Sequence, residues 1–390
     1  MLFLSSLMVL MGFSSVPSLV FEETARLDSE VDERFAWQGL GVGLTVDGVG
    51  NRFVCVPTEN CIYWIDGAGK LVRTIGQEGQ APGEFQQLRA FQKFEDGTAV
   101  AVDIYLSTIF LHFFDQEMGF LERKTLSLEG REHFGVPCFS ADGRLMALAT
   151  ADKGIQRLEI YSRDGQLLET LGNGSFTKAT RGKAKIFGTR EWYVLSAMNS
   201  FLSAKQLPLG QVAFGGSDRV YIAAGGGYSL TARDGNLNTL YSVAREVKPS
   251  LITRAHLPLL MEEVLAGKQG DYRKSFTESV LEEAWDRMRR EVALEPVRAL
   301  VPLGDQGLLV VTHFDPVSMT PTADHYHRDG RYLGSFGLPK TYVYSFGHQN
   351  RLPIKMVVRE GMAHVLEPDE ELEFCLVSYK IRAAGSSKVP

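Results

Sequence analysis

Short runs of alternating apolar and polar residues, paired around tight glycine turns, recur along this chain from Gly43 almost to its end. The clearest copy spans Phe53 to Phe85. Phe53–Val56 reads as a strand, a polar loop follows, Cys61–Ile65 reads as a second strand, and an Asp66-Gly67…Gly69 turn hands over to a third at Leu71–Ile75. Aromatic and β-branched residues suit strands, and Asp and Gly suit turns that need positive φ. A glycine-rich connector then runs to Phe85, where the pattern begins again.

Aligned on the turn glycine, this hairpin returns from Ile62, Phe113, Ile160, Leu230 and His325, with a weaker copy in Leu372–Arg382. Each copy is preceded by another hairpin: Gly43–Val56, Phe94–Asp103, Phe139–Thr150, Phe214–Ala224, Val301–Thr312 and Val357–Glu367. Repeats of about 40 residues with four short strands each predict propeller blades. Six such units predict an all-β, six-bladed β-propeller of four-stranded blades, a closed ring without a free sheet edge. The last unit shows three strands only. The extended segment Leu19–Arg26 is expected to supply the fourth and to pin both ends of the chain in one blade.

One stretch, about 247–296, departs from this pattern. Phe276, Val280, Leu281, Ala284, Trp285 and Met288 fall on one helical stripe, and Leu257–Leu265 reads as a shorter helix before it. The stretch is expected to be a helical insertion between blades four and five. Residues 19–390 then form a single propeller domain, with the insertion resting on it.

The repeat also predicts sidedness. In an up-and-down blade the first and third turns share one face of the ring, and here these are the short Asp-Gly turns. The second-to-third loops and the inter-blade connectors lie on the other face, where the long irregular segments collect. Long loops on a rigid scaffold are where binding concentrates.

With those motifs in hand a family resemblance emerges. Phe53–Asp66 resembles the strand-loop-strand of NHL-type repeats, and the connector Gly76–Phe85 is similar to the linker of bacterial six-bladed NHL-like propellers. The sequence departs from that pattern at Ala81, Val56 and Ala224. The resemblance implies an exported binding module of a kind that often has no known activity.

Composition changes the picture little. Apolar content of 44% suffices for a full core, and a formal charge of −6 without a dense basic run argues against a nucleic-acid partner. Met1–Val20 is uncharged and apolar from Leu2 to Phe13, with small residues at Val16 and Ser18. That predicts a signal peptide over 1–18 and a periplasmic or secreted protein with no membrane span after its removal. Cys55 and Cys61 flank one loop, so an exported chain can bridge them; two small buried side chains are the alternative.

Candidate chemistry sits on the loop-bearing face: Glu59, Asp103, Tyr105, Asp152, His313, Asp315 and Glu367. The expected function is non-catalytic binding or scaffolding of a protein, peptide or carbohydrate partner, with no cofactor. The competing reading draws on gluconolactonase- and paraoxonase-like enzymes, which are also six-bladed and hold calcium in the channel. Under it, Glu59, Asp103, Asp152, Asp315 and Glu367 are the candidate ligands for a metal-dependent hydrolase or lyase. His325 and His327 alternate on one strand, a spacing that can present two imidazoles to a metal or simply pack between blades. Gly225–Gly227 precedes no helix and so fails as a phosphate loop.

Overall fold

The structure, a computed structural model, describes residues 19–383. Excepted are 39–41, 106–107, 128–131, 153–154, 164, 176–189, 191–192, 195–210, 217, 225–226, 248–250, 258–276, 289–291, 294–295, 316–317, 342, 344–353 and 370–372. The proposed signal peptide, Phe276 and most of the helix expected at Leu257–Leu265 lie outside the described residues.

The chain opens with β1 (Leu19–Leu27) and a two-residue strand β2 (Trp37–Gln38). Then β3 (Gly43–Val46), β4 (Arg52–Val56), β5 (Cys61–Ile65) and β6 (Leu71–Ile75) pair antiparallel in that order as the first blade. The second blade is β7 (Leu88–Lys93), β8 (Ala99–Tyr105), β9 (Thr108–Phe114) and β10 (Phe120–Leu126). The third is β11 (Glu132–Phe139), β12 (Leu145–Asp152), β13 (Ile155–Ser162) and β14 (Leu167–Ser175). The fourth is β15 (Gln211–Phe214), β16 (Arg219–Ala224), β17 (Tyr228–Asp234) and β18 (Thr239–Arg245). After it come β19 (Leu251–Ile252), helix α1 (Glu278–Met288) and β20 (Val292–Ala293). The fifth blade is β21 (Ala299–Pro302), β22 (Leu308–Asp315), β23 (Thr320–Tyr326) and β24 (Tyr332–Gly337). The sixth holds β25 (Met356–Arg359), β26 (Met362–Pro368) and β27 (Glu373–Ala383).

The fourth strand of that last blade is β1, paired antiparallel with β27 from Leu19↔Ala383 to Leu27↔Leu376. The N-terminal strand therefore closes the ring. The first strands touch in sequence around it: β3 with β7, β7 with β11, β11 with β15, β15 with β21, β21 with β25, and β25 with β3.

The core lies in the seams between blades. Phe53, Phe85, Phe91 and Phe114 fill the seam of blades one and two. Tyr221, Tyr228, Leu308 and Tyr326 fill that of four and five, while Trp37, Phe314, Phe374 and their neighbours join blades five, six and one. The outermost strands are exposed along most of their length, as in β6 and β10. Asp-Gly turns among the described residues are locked by their own aspartates. Asp66 Oδ1, for instance, accepts from the N–H groups of Ala68 (2.9 Å) and Lys70 (2.8 Å), and Gly69 takes φ +91. Such turns need a residue free to adopt positive φ.

The Gly76–Phe85 connector is a built element. Phe85 is fully buried, its ring 5.1 Å from that of His112. Gly76 has φ +81, and a Cβ there would lie 2.2 Å from the Phe85 ring, so the close approach requires glycine. The insertion leaves between blades four and five, and β19 pairs with β20 at its base (Leu251↔Ala293, Ile252↔Val292). Val280, Leu281 and Ala284 of the expected stripe are buried. Beside that stripe α1 carries ion pairs from Glu283 to Arg190 and Arg287 and from Glu282 to Arg254. No helix among the described residues is long and apolar enough to cross a membrane.

Candidate functional site

The loop-bearing face distributes its candidates singly, and most serve their own blade. Glu59, in the β4–β5 loop, accepts from Tyr63 Oη at 2.5 Å. Asp103, buried in β8, accepts from the N–H groups of Gln86 (3.0 Å) and Gln87 (2.6 Å), with His112 Nε2 at 3.7 Å. Burial opposes its ionisation, but His112 and the two backbone donors outweigh burial and hold its carboxyl below the usual range. Tyr105 ends β8, half-buried and opposite Thr108. Asp152 ends β12. His313 is exposed on β22, and Asp315 at that strand's end accepts from Ser318 Oγ at 2.5 Å. Glu367 on β26 accepts from Arg26 Nη2 at 3.0 Å and from the Tyr379 hydroxyl.

Among the described residues no three His, Cys, Asp or Glu side chains converge as a metal would require. His325 is buried, its Nε2 3.2 Å from the Gln306 carbonyl, while His327 lies beyond the end of β23 against Asp329 at 3.0 Å. The Cys55–Cys61 bridge is not formed, and both thiols are free. The register explains it: Cys61 stands opposite Val56, one residue beyond Cys55, so the two side chains point to opposite faces of the sheet. Cys55 joins the seam of blades one and two, and Cys61 the core on the other side.

A pocket among the described residues lies elsewhere. On the turn-bearing face, at the seam where blade six meets blade one, three turns and the strands beside them line a cavity of about 290 Å³. Arg52, Arg359, His364, Asp47, Glu360, Ser378 and Thr24 supply its polar groups. Arg52, at the start of β4, is 4% exposed and donates from Nη2 to the Asp66 carbonyl at 2.5 Å. Its Nε is buried without a partner. Arg359, ending β25, donates from Nη1 to the Val46 carbonyl at 3.2 Å. Asp47 turns its carboxylate back into its own turn, accepting from the N–H groups of Val49 (3.0 Å) and Asn51 (2.9 Å) and from Asn51 Nδ2 (2.8 Å). Sequence spacing alone does not bring residues this far apart together; a charged residue at the head of an apolar strand run, as at Arg52, is the signal that could have pointed here.

His364, on β26, is 8% exposed, with Nδ1 2.9 Å from Ser378 Oγ. Burial, reinforced by the charge of Arg52, pushes its pKa down to about 4 from the ordinary 6.5. Between those values the unfolded chain binds a proton that the native protein refuses, so stability falls as pH falls. The loss expected on going from pH 7 to pH 4 from this group is up to about 3 kcal/mol. Denaturant titrations across that range measure it, and His364→Gln should flatten the slope. An equal slope in both proteins would show that His364 is not its source.

Neither a protein-family model nor a curated protein sequence matches this chain. Solved structures do. A Bacteroides fragilis protein described as exported superposes at 12% identity, covering 94% of this chain and 96% of the other, with a TM-score of 0.51. A member of the DUF4221 family from Bacteroides vulgatus does so at 9% identity, 95% and 100% coverage, and a TM-score of 0.50. A streptogramin B lyase overlaps less well, at 9% identity, 93% and 97% coverage, and a TM-score of 0.43. At such identities the likeness establishes the propeller fold and leaves the chemistry to the residues themselves.

Proposed function

We propose that the chain is an exported, NHL-like β-propeller acting as a non-catalytic binding or scaffold module for a protein, peptide or carbohydrate partner. Its loop-bearing face would hold that partner. The observation carrying this reading is the division of labour between the two faces. Tight, self-locked Asp-Gly turns occupy one. The other carries the long connections from Ser175 to Gln211 and from Arg245 to Ala299, the second of which holds α1. The acids there support the same reading, since Glu59, Asp103 and Glu367 are engaged in bonds that hold their own blades.

The insertion offers a direct test, because β19 and β20 bring its two ends side by side. Replacing residues 253–291 by a short glycine link should leave the ring folded by circular dichroism. On peptide and glycan arrays, ligands held by the full chain should bind at least about tenfold more weakly to the shortened one. Unchanged affinity would remove the insertion from the binding face. Metal content and melting with and without EDTA probe the catalytic alternative, and a stoichiometric ion whose removal lowers the Tm would overturn the non-catalytic reading.

A further inference from the structure

We propose that the cavity at the seam of blades one and six is a binding site for a small, doubly charged oxyanion: the phosphate, sulfate or dicarboxylate end of a small molecule. It lies on the face opposite the loop-bearing one, so it stands or falls independently of the partner-binding reading.

The cavity holds two guanidinium groups, Arg52 and Arg359, and among the described residues neither is paired with a carboxylate. A backbone carbonyl satisfies one N–H but cannot neutralise the charge, and a buried charge without a counter-ion is costly. Arg52 bears that cost most plainly, being 4% exposed with its Nε orphaned in the protein interior. Burial pushes its pKa down, only partly offset by Asp66.

Asp47 and Glu360 also line the cavity, and among the described residues neither carboxylate is paired with its guanidinium groups. Asp47 and Asp66 spend their oxygens on the N–H groups of their own turns. Glu360 sits exposed on the β25–β26 turn at φ +50. An anion between the guanidiniums would supply the missing charge, and their planar forks suit phosphate or carboxylate oxygens.

The remaining lining fits the same ligand. His364 is neutral at physiological pH. Its Nδ1 lies 2.9 Å from Ser378 Oγ, and in the tautomer where Ser378 donates, the ring proton sits on Nε2 as a further donor. The volume of about 290 Å³ lies at the small end of ligand pockets, which suits a compact metabolite rather than a chain or a ring system. Because the lining comes from both blades that close the ring, a bound anion would also fasten that seam.

The test uses the purified chain at constant ionic strength, with sodium chloride as the balancing salt. Inorganic phosphate, sulfate and succinate are titrated by calorimetry and by thermal unfolding. At least one should bind saturably at one site and raise the Tm by a few degrees. Preference for phosphate or sulfate would assign an ester-type ligand and preference for succinate a dicarboxylate; either upholds the site. Arg52→Gln should abolish binding. Arg359→Gln, at a half-buried turn position, should weaken it at least about tenfold. Arg382→Gln, which removes only an exposed partner of Glu22, should change nothing. If Arg52→Gln fails to fold, Arg359→Gln decides alone. The proposal is overturned if no probe binds saturably up to about 10 mM, or if Arg359→Gln binds as tightly as the parent. It is equally overturned if stabilisation rises without saturation and alike in both proteins, which is how excluded salts act.

Discussion

A chain beginning at Asp28 is expected to unfold at least roughly 10 °C below a chain beginning at Leu19, or not to fold at all. The nine residues between them are β1, and their removal uncovers the outer edge of β27 from Leu376 to Ala383. Three further losses come with it. Leu27 leaves the core of blades five, six and one. Phe21 leaves its contacts with Phe336 of blade five (6.2 Å) and Tyr379 (6.4 Å). Arg26 leaves Glu367, whose side chain is 9% exposed and is then held by Tyr379 without its cation. Burial of the two apolar side chains is worth roughly 2 kcal/mol each, and stranding a buried acceptor costs about 1–3 kcal/mol more. Against a native stability of about 5–15 kcal/mol, that sum lowers the Tm by roughly 10 °C or abolishes folding. Differential scanning calorimetry of the two truncations measures it, and a separate peptide of residues 19–27 should restore the transition. Equal melting of both truncations would mean that the ring closes without its N-terminal strand.

That closing strand was legible in the sequence because it is a matter of counting: five complete units and one with three strands leave a single place for Leu19–Arg26. The turn positions were legible for a local reason. Asp and Gly lock a turn through bonds spanning two to four residues, as Asp66 and Asp234 do, so the turn and the strands beside it appear in any short window. The candidate site depends on distances that no window contains. Arg52 and Arg359 lie in the first and last blades and meet only because the ring closes, and Asp103 finds its partners at Gln86 and Gln87 in the connector to its own blade. The relation of Cys55 to Cys61 turned on a single residue of register. A loop of even or odd pairing sets which face each side chain takes, and loop sequence does not display that parity.

Asp324→Ala should produce the largest loss of any single substitution, because four strands of two blades converge on that carboxylate. Asp324, on β23, is 4% exposed. It accepts from Tyr228 Oη of β17 at 2.8 Å, from Arg245 Nη1 of β18 at 2.7 Å, and from the Ser335 hydroxyl of β24. Burial, with Tyr326 and Asp324 beside it, pushes the Tyr228 phenol well above its ordinary pKa, so it stays a donor at every working pH. Arg245 lies over the Tyr332 ring at 4.3 Å and the Tyr228 ring at 5.6 Å, so its charge is held by carboxylate and aromatic faces together. Removing the acid leaves a cation and two hydroxyls without their buried acceptor, a change that costs about 3–5 kcal/mol. Asp324→Asn keeps an acceptor for Tyr228 and should lose less. A double-mutant cycle with Arg245→Ala should return a coupling of about 1–3 kcal/mol. Arg245 ends the last strand before the insertion departs, so the damage should be local as well as large. Hydrogen exchange is expected to quicken in β17, β18, β23 and β24 while β4 and β8 keep their protection. Uniform quickening around the ring would show instead that the seam of blades four and five opens only when the whole propeller does.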